Sequence, residues 1–350
     1  GKWAFSTSFK HMDIRERGTN VTSNMYGKKY FFNIDGHMDV SKDKQLSVFF
    51  DYLKEDLDMK DSAVQRTGYD HDRITTGLKY SGRDSRGDYE MQAYYTYFDK
   101  NQRTRNRASG SLHSFDDMTF NSLIFDGRRS MQIEKNHLLT VGGEYRKEDY
   151  KGTRIRGTKT KTLEGVTNQL GDSSMNYAAL YLQDEWVASP RWLLIPSIRW
   201  DYNDIFGSEI TGKLGTTYKV SKNLRFKANI GTAYRAPTAS ELYFDWRHTP
   251  NARMDVHIIG NPNLKPEKSF NFDIGIEAER GKTSGKLSYF RNKVEDLINI
   301  NTVITPLPGF PPRMLATGTY QNIDSATIQG IELEAKQDLG SGFSLRGLYT

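Results

Sequence analysis

Apolar and polar residues alternate with period two over segments of about ten residues, the pattern of strands that bury one face only. Leu224, Phe226, Ala228, Ile230, Thr232 and Tyr234 share one face of the clearest segment, and Arg225, Lys227, Asn229, Gly231, Ala233 and Arg235 share the other. Further along, Phe270, Phe272, Ile274, Ile276 and Ala278 oppose Ser269, Asn271, Asp273, Gly275 and Glu277. The same arrangement recurs in 192–202 and 90–97, where Trp192, Leu194, Ile198, Trp200 and Met91, Ala93, Tyr95 form the apolar faces. Each segment predicts an antiparallel strand with one apolar and one charged face.

The chain holds about fifteen such segments, longer than the roughly 5 to 6 residues usual in globular sheets and close to the about 9 to 11 needed to cross a bilayer. Aromatic residues gather at segment ends, as in Tyr30, Phe31 and Phe32, in Trp186 and Trp192, and in Trp200 and Tyr202. Such clusters suit the two interfacial belts of a membrane barrel. The connections alternate in length. Short ones are expected at 41–44, 135–136, 188–190, 220–222, 280–283 and 338–341, and long polar loops at 13–27, 101–113, 151–173, 236–265 and 298–318, with 203–208 a short exception. Short turns on one rim and long loops on the other predict an all-β, antiparallel transmembrane β-barrel occupying the whole chain as one domain. A propeller would repeat every 40 to 50 residues or so, and no such repeat is found.

Composition then narrows the functional classes. Hydrophobic residues make up 36% and aromatics 12% of the 350 residues, too aromatic a mixture for disorder. No apolar run approaches the about 18 residues of a membrane helix. Lysine and arginine number 49 against 43 acidic residues, with the signs intermixed, so no nucleic-acid surface is expected. Cysteine is absent, which removes disulfides and thiolate chemistry. The chain opens at Gly1 without a basic or apolar leader and reads as a piece of a longer protein. Fifteen strands is odd where bacterial single-chain barrels have even counts and plugged transporters use 22. An incomplete barrel with two unpaired sheet edges is therefore expected.

Three segments resemble the TonB-dependent outer-membrane receptors. Tyr234-Arg-Ala-Pro-Thr-Ala-Ser-Glu-Leu-Tyr243 is similar to that family's aromatic-Arg-Ala-Pro box, carried here by Tyr234, Arg235, Ala236 and Pro237. Gly260-Asn-Pro-Asn-Leu264 resembles its second box, with Asn261, Pro262, Asn263 and Leu264. Tyr289 to Ile298, Tyr320-Gln-Asn-Ile-Asp and Ile328 to Glu334 resemble the strand pair that follows. The likeness covers 178–350 well and the first half only by general pattern. Taken individually, Arg235, Pro237, Asn261, Pro262 and Asn263 are expected first as anchors of a 30-residue loop, the prolines by fixing φ and removing donors.

The resemblance implies an outer membrane of a Gram-negative bacterium, a separate plug domain, a periplasmic TonB energy-coupling protein, and active uptake of an iron-containing nutrient. The bilayer and lipopolysaccharide would be its surroundings. No intrinsic cofactor is implied; the transported ligand would be haem or haemoprotein, with a ferric siderophore or cobalamin as the alternative and a passive porin or adhesin as the alternative from another class. Haem receptors of the family place a histidine between the two boxes as an iron ligand. His248, fourteen residues after Tyr234, is the candidate metal ligand and His257 the second, with Tyr243, Phe244 and Trp246 as stacking surface. Exposed loops carry such histidines in any case. Arg225, Lys227, Asn229, Asp273 and Glu277 are expected on a lumen wall facing the plug, and Glu332 and Glu334 likewise.

Other chemistry is weakly signalled. Arg103, Arg105 and Arg107 alternate and could meet an anionic chelate or lipid phosphate, as could Arg154, Arg156, Lys159 and Lys161; a solvated loop is the plainer expectation for both sets. Asp201 to Asp204 is no calcium loop, because Ile205 and Phe206 stand where an oxygen ligand and glycine are required. No catalytic motif is present, and no enzyme activity is expected.

Overall fold

The computed structural model describes residues 2–16, 24–251, 253–309, 312–323 and 325–350. The strands in chain order begin with β1 (Trp3–Ile14), β2 (Met25–Ser41), β3 (Lys44–Lys60), β4 (Gln65–Asp84), β5 (Gly87–Asn106), β6 (Leu112–Glu134) and β7 (His137–Gly152). They continue as β8 (Lys159–Leu163), β9 (Val166–Ser189), β10 (Trp192–Asn203), β11 (Gly207–Ser221) and β12 (Leu224–Arg235). The short helix α1 (Ala239–Tyr243) precedes β13 (Asp245–Asn251) and β14 (Met254–Ile259). Last come β15 (Glu267–Arg280), β16 (Thr283–Glu295), β17 (Leu297–Leu307), β18 (Arg313–Ile323), β19 (Ala326–Gly340) and β20 (Phe343–Tyr349).

One antiparallel sheet follows chain order from β1 to β20, skipping only β8, β13, β14, β17 and β18. The skipped β8 hangs on β9, and the other four form a separate sheet in the order β13-β14-β18-β17. The long sheet's path thus has the expected strand number. Among the described residues β1 pairs with β2 alone and β20 with β19 alone, the expected pair of free edges.

The expected faces are present. Phe226 and Ile230 on β12, Ile210 on β11 and Phe270 and Ile274 on β15 are all exposed, a face that lipid rather than protein must cover. The opposite face carries cross-strand polar pairs: Arg225 Nε donates to Glu277 (2.5 Å), Lys227 Nζ to the same carboxylate (2.9 Å), and Asn229 Nδ2 to Asp273 (2.8 Å). Their positions follow from register, since Arg225 lies opposite Glu277 and Asn229 opposite Asp273. Glu334 extends this wall and accepts from Arg346 at 2.8 Å. Trp192 packs edge-on against Tyr218 at one rim and Trp200 stacks with Tyr202 at the other, which gives the two aromatic belts.

The tight turns fall where alternation breaks, at 42–43, 135–136, 190–191, 222–223, 281–282 and 341–342. The polar loops are a different matter, because most of their length is strand. Residues 101–106 continue β5 and 112–113 begin β6, leaving 107–111 between them. Segment 151–173 contains the β8–β9 hairpin, 236–265 contains α1, β13 and β14, and 298–318 contains most of β17 and β18. At the 13–27 connection Asp13 and Ile14 belong to β1, Met25 to Gly27 belong to β2, and residues 17–23 lie outside the described residues, as do 310–311 and Asp324 of the later segments. Polar alternation misleads here because strands that rise above a bilayer have water on both faces and need no apolar stripe. β6 has 23 residues and β9 has 24, far more than the about 9 to 11 that span a membrane.

Candidate ligand-binding site

The loop end is organised by one arginine. Arg235, the last residue of β12, lies in register with Glu267, the first of β15. Its guanidinium donates to both Glu267 oxygens at 2.8 and 2.6 Å and to both Glu241 oxygens at 3.0 and 3.1 Å. Paired forks of this kind use the planar geometry of arginine, which lysine cannot copy. Glu241 also closes a capping box with Thr238, fixing the start of α1 directly after Pro237. Hydrogen bonding to Arg235 holds the Glu267 carboxyl below its ordinary range and raises the guanidinium above its own.

The second box is tied down as firmly. Asn261 donates its amide to the Tyr320 carbonyl (3.1 Å) and accepts from the Asn263 backbone (3.0 Å). Asn322 accepts from Lys265 N–H (2.9 Å) and donates to the carbonyls of Lys265 (2.9 Å) and Asp296 (2.6 Å). Leu264 joins Met175, Ala239, Leu242 and Ile298 in a dry cluster walled by Tyr150, Tyr177, Ile205, Tyr243 and Tyr320. Pro262 is exposed and Pro237 is fully buried, so the two prolines frame the segment from opposite environments. Tyr234 lies beside Asp201 and Arg199.

Over this platform lies a cavity of about 1230 Å³, lined from several loop-side segments by Tyr69, Gln102, His113, Asp116, Arg154, Trp246, Arg247 and His248 among others. The segment that carries Arg154 crosses to the α1–β13 junction through backbone bonds, Arg156 N–H to Tyr243 (2.8 Å) and Asp245 N–H to Arg154 (2.9 Å). Trp246 has two neighbours: Arg154 lies 4.8 Å from its ring centroid and His248 stacks on it at 5.2 Å, 7° from parallel. Arg154 also donates to Asp116 at 2.5 Å.

The candidate residues therefore separate. His248 and Trp246 line the cavity together. His257, on β14 of the same hairpin, is engaged instead by Asp245, its Nε2 2.8 Å away. Tyr243 packs under the hairpin in the apolar cluster, where burial raises its phenol. The two basic loop sets are largely paired rather than solvated: Arg103 and Lys161 both meet Asp117, and Arg105 grips Glu164 through two bonds of 2.7 and 2.6 Å. Arg107 donates to the Ser62 carbonyl and Arg156 to that of Gly260. Glu241 and Asn322 stand inside the family-like segments without a role read from them, and Glu267 and His113 were not singled out by sequence. Only the Thr238–Glu241 capping spacing could have flagged one of them, since the others are defined by partners remote in the chain.

With this geometry in view, residues 13–350 match the family model described as TonB dependent receptor-like, beta-barrel. The chain belongs to the TonB-dependent receptors. Their barrels are outer-membrane proteins of Gram-negative bacteria, and that is where this receptor chain resides. It is 31% identical over 241 residues to the vitamin B12 transporter BtuB of Photobacterium profundum, covering 67% of this chain and 34% of that protein. It is 27% identical over 210 residues to the ferric enterobactin receptor of Pseudomonas aeruginosa, covering 55% of this chain and 28% of the relative. It is 29% identical over 225 residues to heme/hemopexin utilization protein C of Haemophilus influenzae, covering 58% and 31%. A crystal structure of a ferric enterobactin receptor variant from Pseudomonas aeruginosa superposes with a TM-score of 0.71 at 18% identity over 95% of this chain and 53% of that one. The siderophore receptor PirA of the same organism gives 0.66, also at 18%, over 98% and 64%. The matches thus span about a third of those curated relatives and somewhat over half of those solved chains. The family resemblance noted for 178–350 extends through the first half as well.

Proposed function

We propose that this chain is the barrel of a receptor that binds an iron-containing nutrient at its loop end and imports it, with haem or haemoprotein as the first substrate. Transport would use a plug domain and a periplasmic TonB protein, as in the family, and the activity is binding and passage rather than catalysis. The observation that carries the reading is His248, held against Trp246 on the wall of the loop-side cavity, with His113 lining the same space. An imidazole there is a suitable axial ligand for haem iron, the indole adds apolar surface beside the porphyrin, and Arg247 supplies a cation for its carboxylates. Haemin titrated into the full-length receptor should give a Soret shift that His248→Ala alters. An unchanged Soret band and affinity in that variant would remove the assignment.

A ferric siderophore is the second reading. Arg154, Arg247 and Trp246 suit an anionic aromatic chelate without any iron–histidine bond, and the likeness to the ferric enterobactin receptor favours it. Quenching of tryptophan fluorescence by a ferric catecholate, in a receptor that gives no Soret shift with haemin, would select it over haem.

A further inference from the structure

On the outer wall of the barrel, β16 breaks the apolar stripe early. It rises from the tight turn at 281–282, so 291–295 form its loop end. Register sets the lipid-facing rows: Leu214, Ile230, Phe272, Arg291 and Gln329 lie side by side across β11, β12, β15, β16 and β19. The row toward the turns is Ala228, Ile274, Tyr289 and Ile331, and the row toward the loops is Thr232, Phe270, Lys293 and Thr327. Arg291 is thus level with exposed Leu214 and Ile230, where neighbouring strands still present hydrocarbon.

Arg291 itself is not neutralised. Lys293 donates to Glu295 at 2.6 Å and Lys268 to Glu209 at 2.9 Å, so the nearby carboxylates have other partners. Among the described residues no hydrogen bond or ion pair reaches Arg291, which is exposed. Tyr289 donates to the side-chain oxygen Oε1 of Gln329 at 3.4 Å, leaving the Nε2 hydrogens of that amide to donate in the same row. A cation that faces lipid must reach water or find an anion at the interface.

We propose that Arg291, with Lys293 and Gln329, binds the phosphate of an outer-leaflet glycolipid, the phosphorylated headgroup of lipopolysaccharide. The guanidinium fork matches a phosphate in two bonds, the amide adds a donor, and Phe270, Phe272 and Tyr289 give the acyl chains a surface beside the headgroup. Free phosphate carries the same charge but has no chains to lie on that wall. The site depends on the outer-membrane placement and not on what the loop cavity binds.

The test uses the full-length receptor in detergent micelles, with folding verified by heat-modifiable gel mobility. Wild-type protein should bind bisphosphorylated lipid A more tightly than its dephosphorylated form, and inorganic phosphate should not compete at equal concentration. Arg291→Gln and Lys293→Gln should each weaken binding about fivefold, and the double variant roughly twentyfold; Arg291→Lys should retain most of it. Equal affinity of wild-type protein for the two lipids, competition by inorganic phosphate, or a folded double variant with unchanged affinity would each overturn the proposal. The two-lipid comparison needs no variant and decides the phosphate requirement by itself.

Discussion

Arg235 and Glu267 face each other across β12 and β15 and join through two hydrogen bonds of 2.8 and 2.6 Å. The remaining donors of Arg235 hold Glu241, and Glu267 Oε1 also accepts the Ile298 amide at 2.8 Å, so this pair fastens the beginning of α1 and the beginning of β17 to the barrel rim. Sequence resemblance marked Arg235, and its hydrogen bonds make it a junction between the two boxes.

That junction should depend on pH. The carboxyl of Glu267 is lowered chiefly by hydrogen bonding to Arg235, so its contribution is complete above the ordinary glutamate range of about 4.3 and is lost as pH falls through the lower folded value. Limited proteolysis of 236–265 by an acid-tolerant protease is expected to accelerate below that range in the wild type. Glu267→Gln should be cleaved faster at neutral pH and show a flatter profile. A variant with the wild-type profile would place the pH dependence elsewhere.

The platform below the loops rests on apolar packing. Leu242 is fully buried against Met175, Ala239, Leu264 and Ile298. Leu242→Ala should cost about 2 to 5 kcal/mol of local stability through the cavity it leaves. Hydrogen exchange should rise in 236–265 and 296–300 while the barrel strands keep their protection. Exchange confined to α1 would show that the cluster is not a unit.

The sheet was legible because lipid on one side and charge on the other impose alternation, as Phe226 and Ile230 opposite Arg225 and Lys227 demonstrate. The loop end was not, because its strands have water on both sides and its order comes from pairs distant in sequence. Arg105 meets Glu164 and Asn322 meets Lys265, contacts that no local pattern announces. His248 and His257 look alike in sequence, nine positions apart. One lines the cavity on a tryptophan, and the other is engaged by Asp245.

That difference is measurable. Trp246 supports His248 by stacking and Arg154 by a cation–π contact. Trp246→Ala should weaken binding of haemin or a ferric catecholate by about tenfold, since it removes both contacts and the ring's own surface. His257→Gln should leave the spectrum of the bound ligand unchanged and instead raise proteolysis of the β13–β14 hairpin. If His257→Gln changed the spectrum and Trp246→Ala did not, the cavity would be the wrong site.

The cavity's shape depends on a close backbone approach that tolerates no side chain. A Cβ on Gly171 would stand 2.2 Å from the Arg156 carbonyl oxygen and 2.4 Å from that of Ile155, and one on Gly157 would stand 2.3 Å from the Leu170 carbonyl. Gly171 belongs to β9, paired with Gly152 at the end of β7, so the ladder holds it and the crossing segment must give way. Displacement there would pull on Arg156 N–H bonded to Tyr243 and on the Ile155–Phe244 bridge, carrying Arg154 off Trp246. Gly171→Ala should therefore reduce ligand affinity and blue-shift or red-shift Trp246 emission while gel mobility reports a folded barrel. A Trp246→Phe background separates this indole's signal from the other four tryptophans among the total of 5. Unaltered emission and affinity in folded Gly171→Ala would mean that the crossing segment can shift without disturbing Arg154, and that the cavity wall is set by β13 alone.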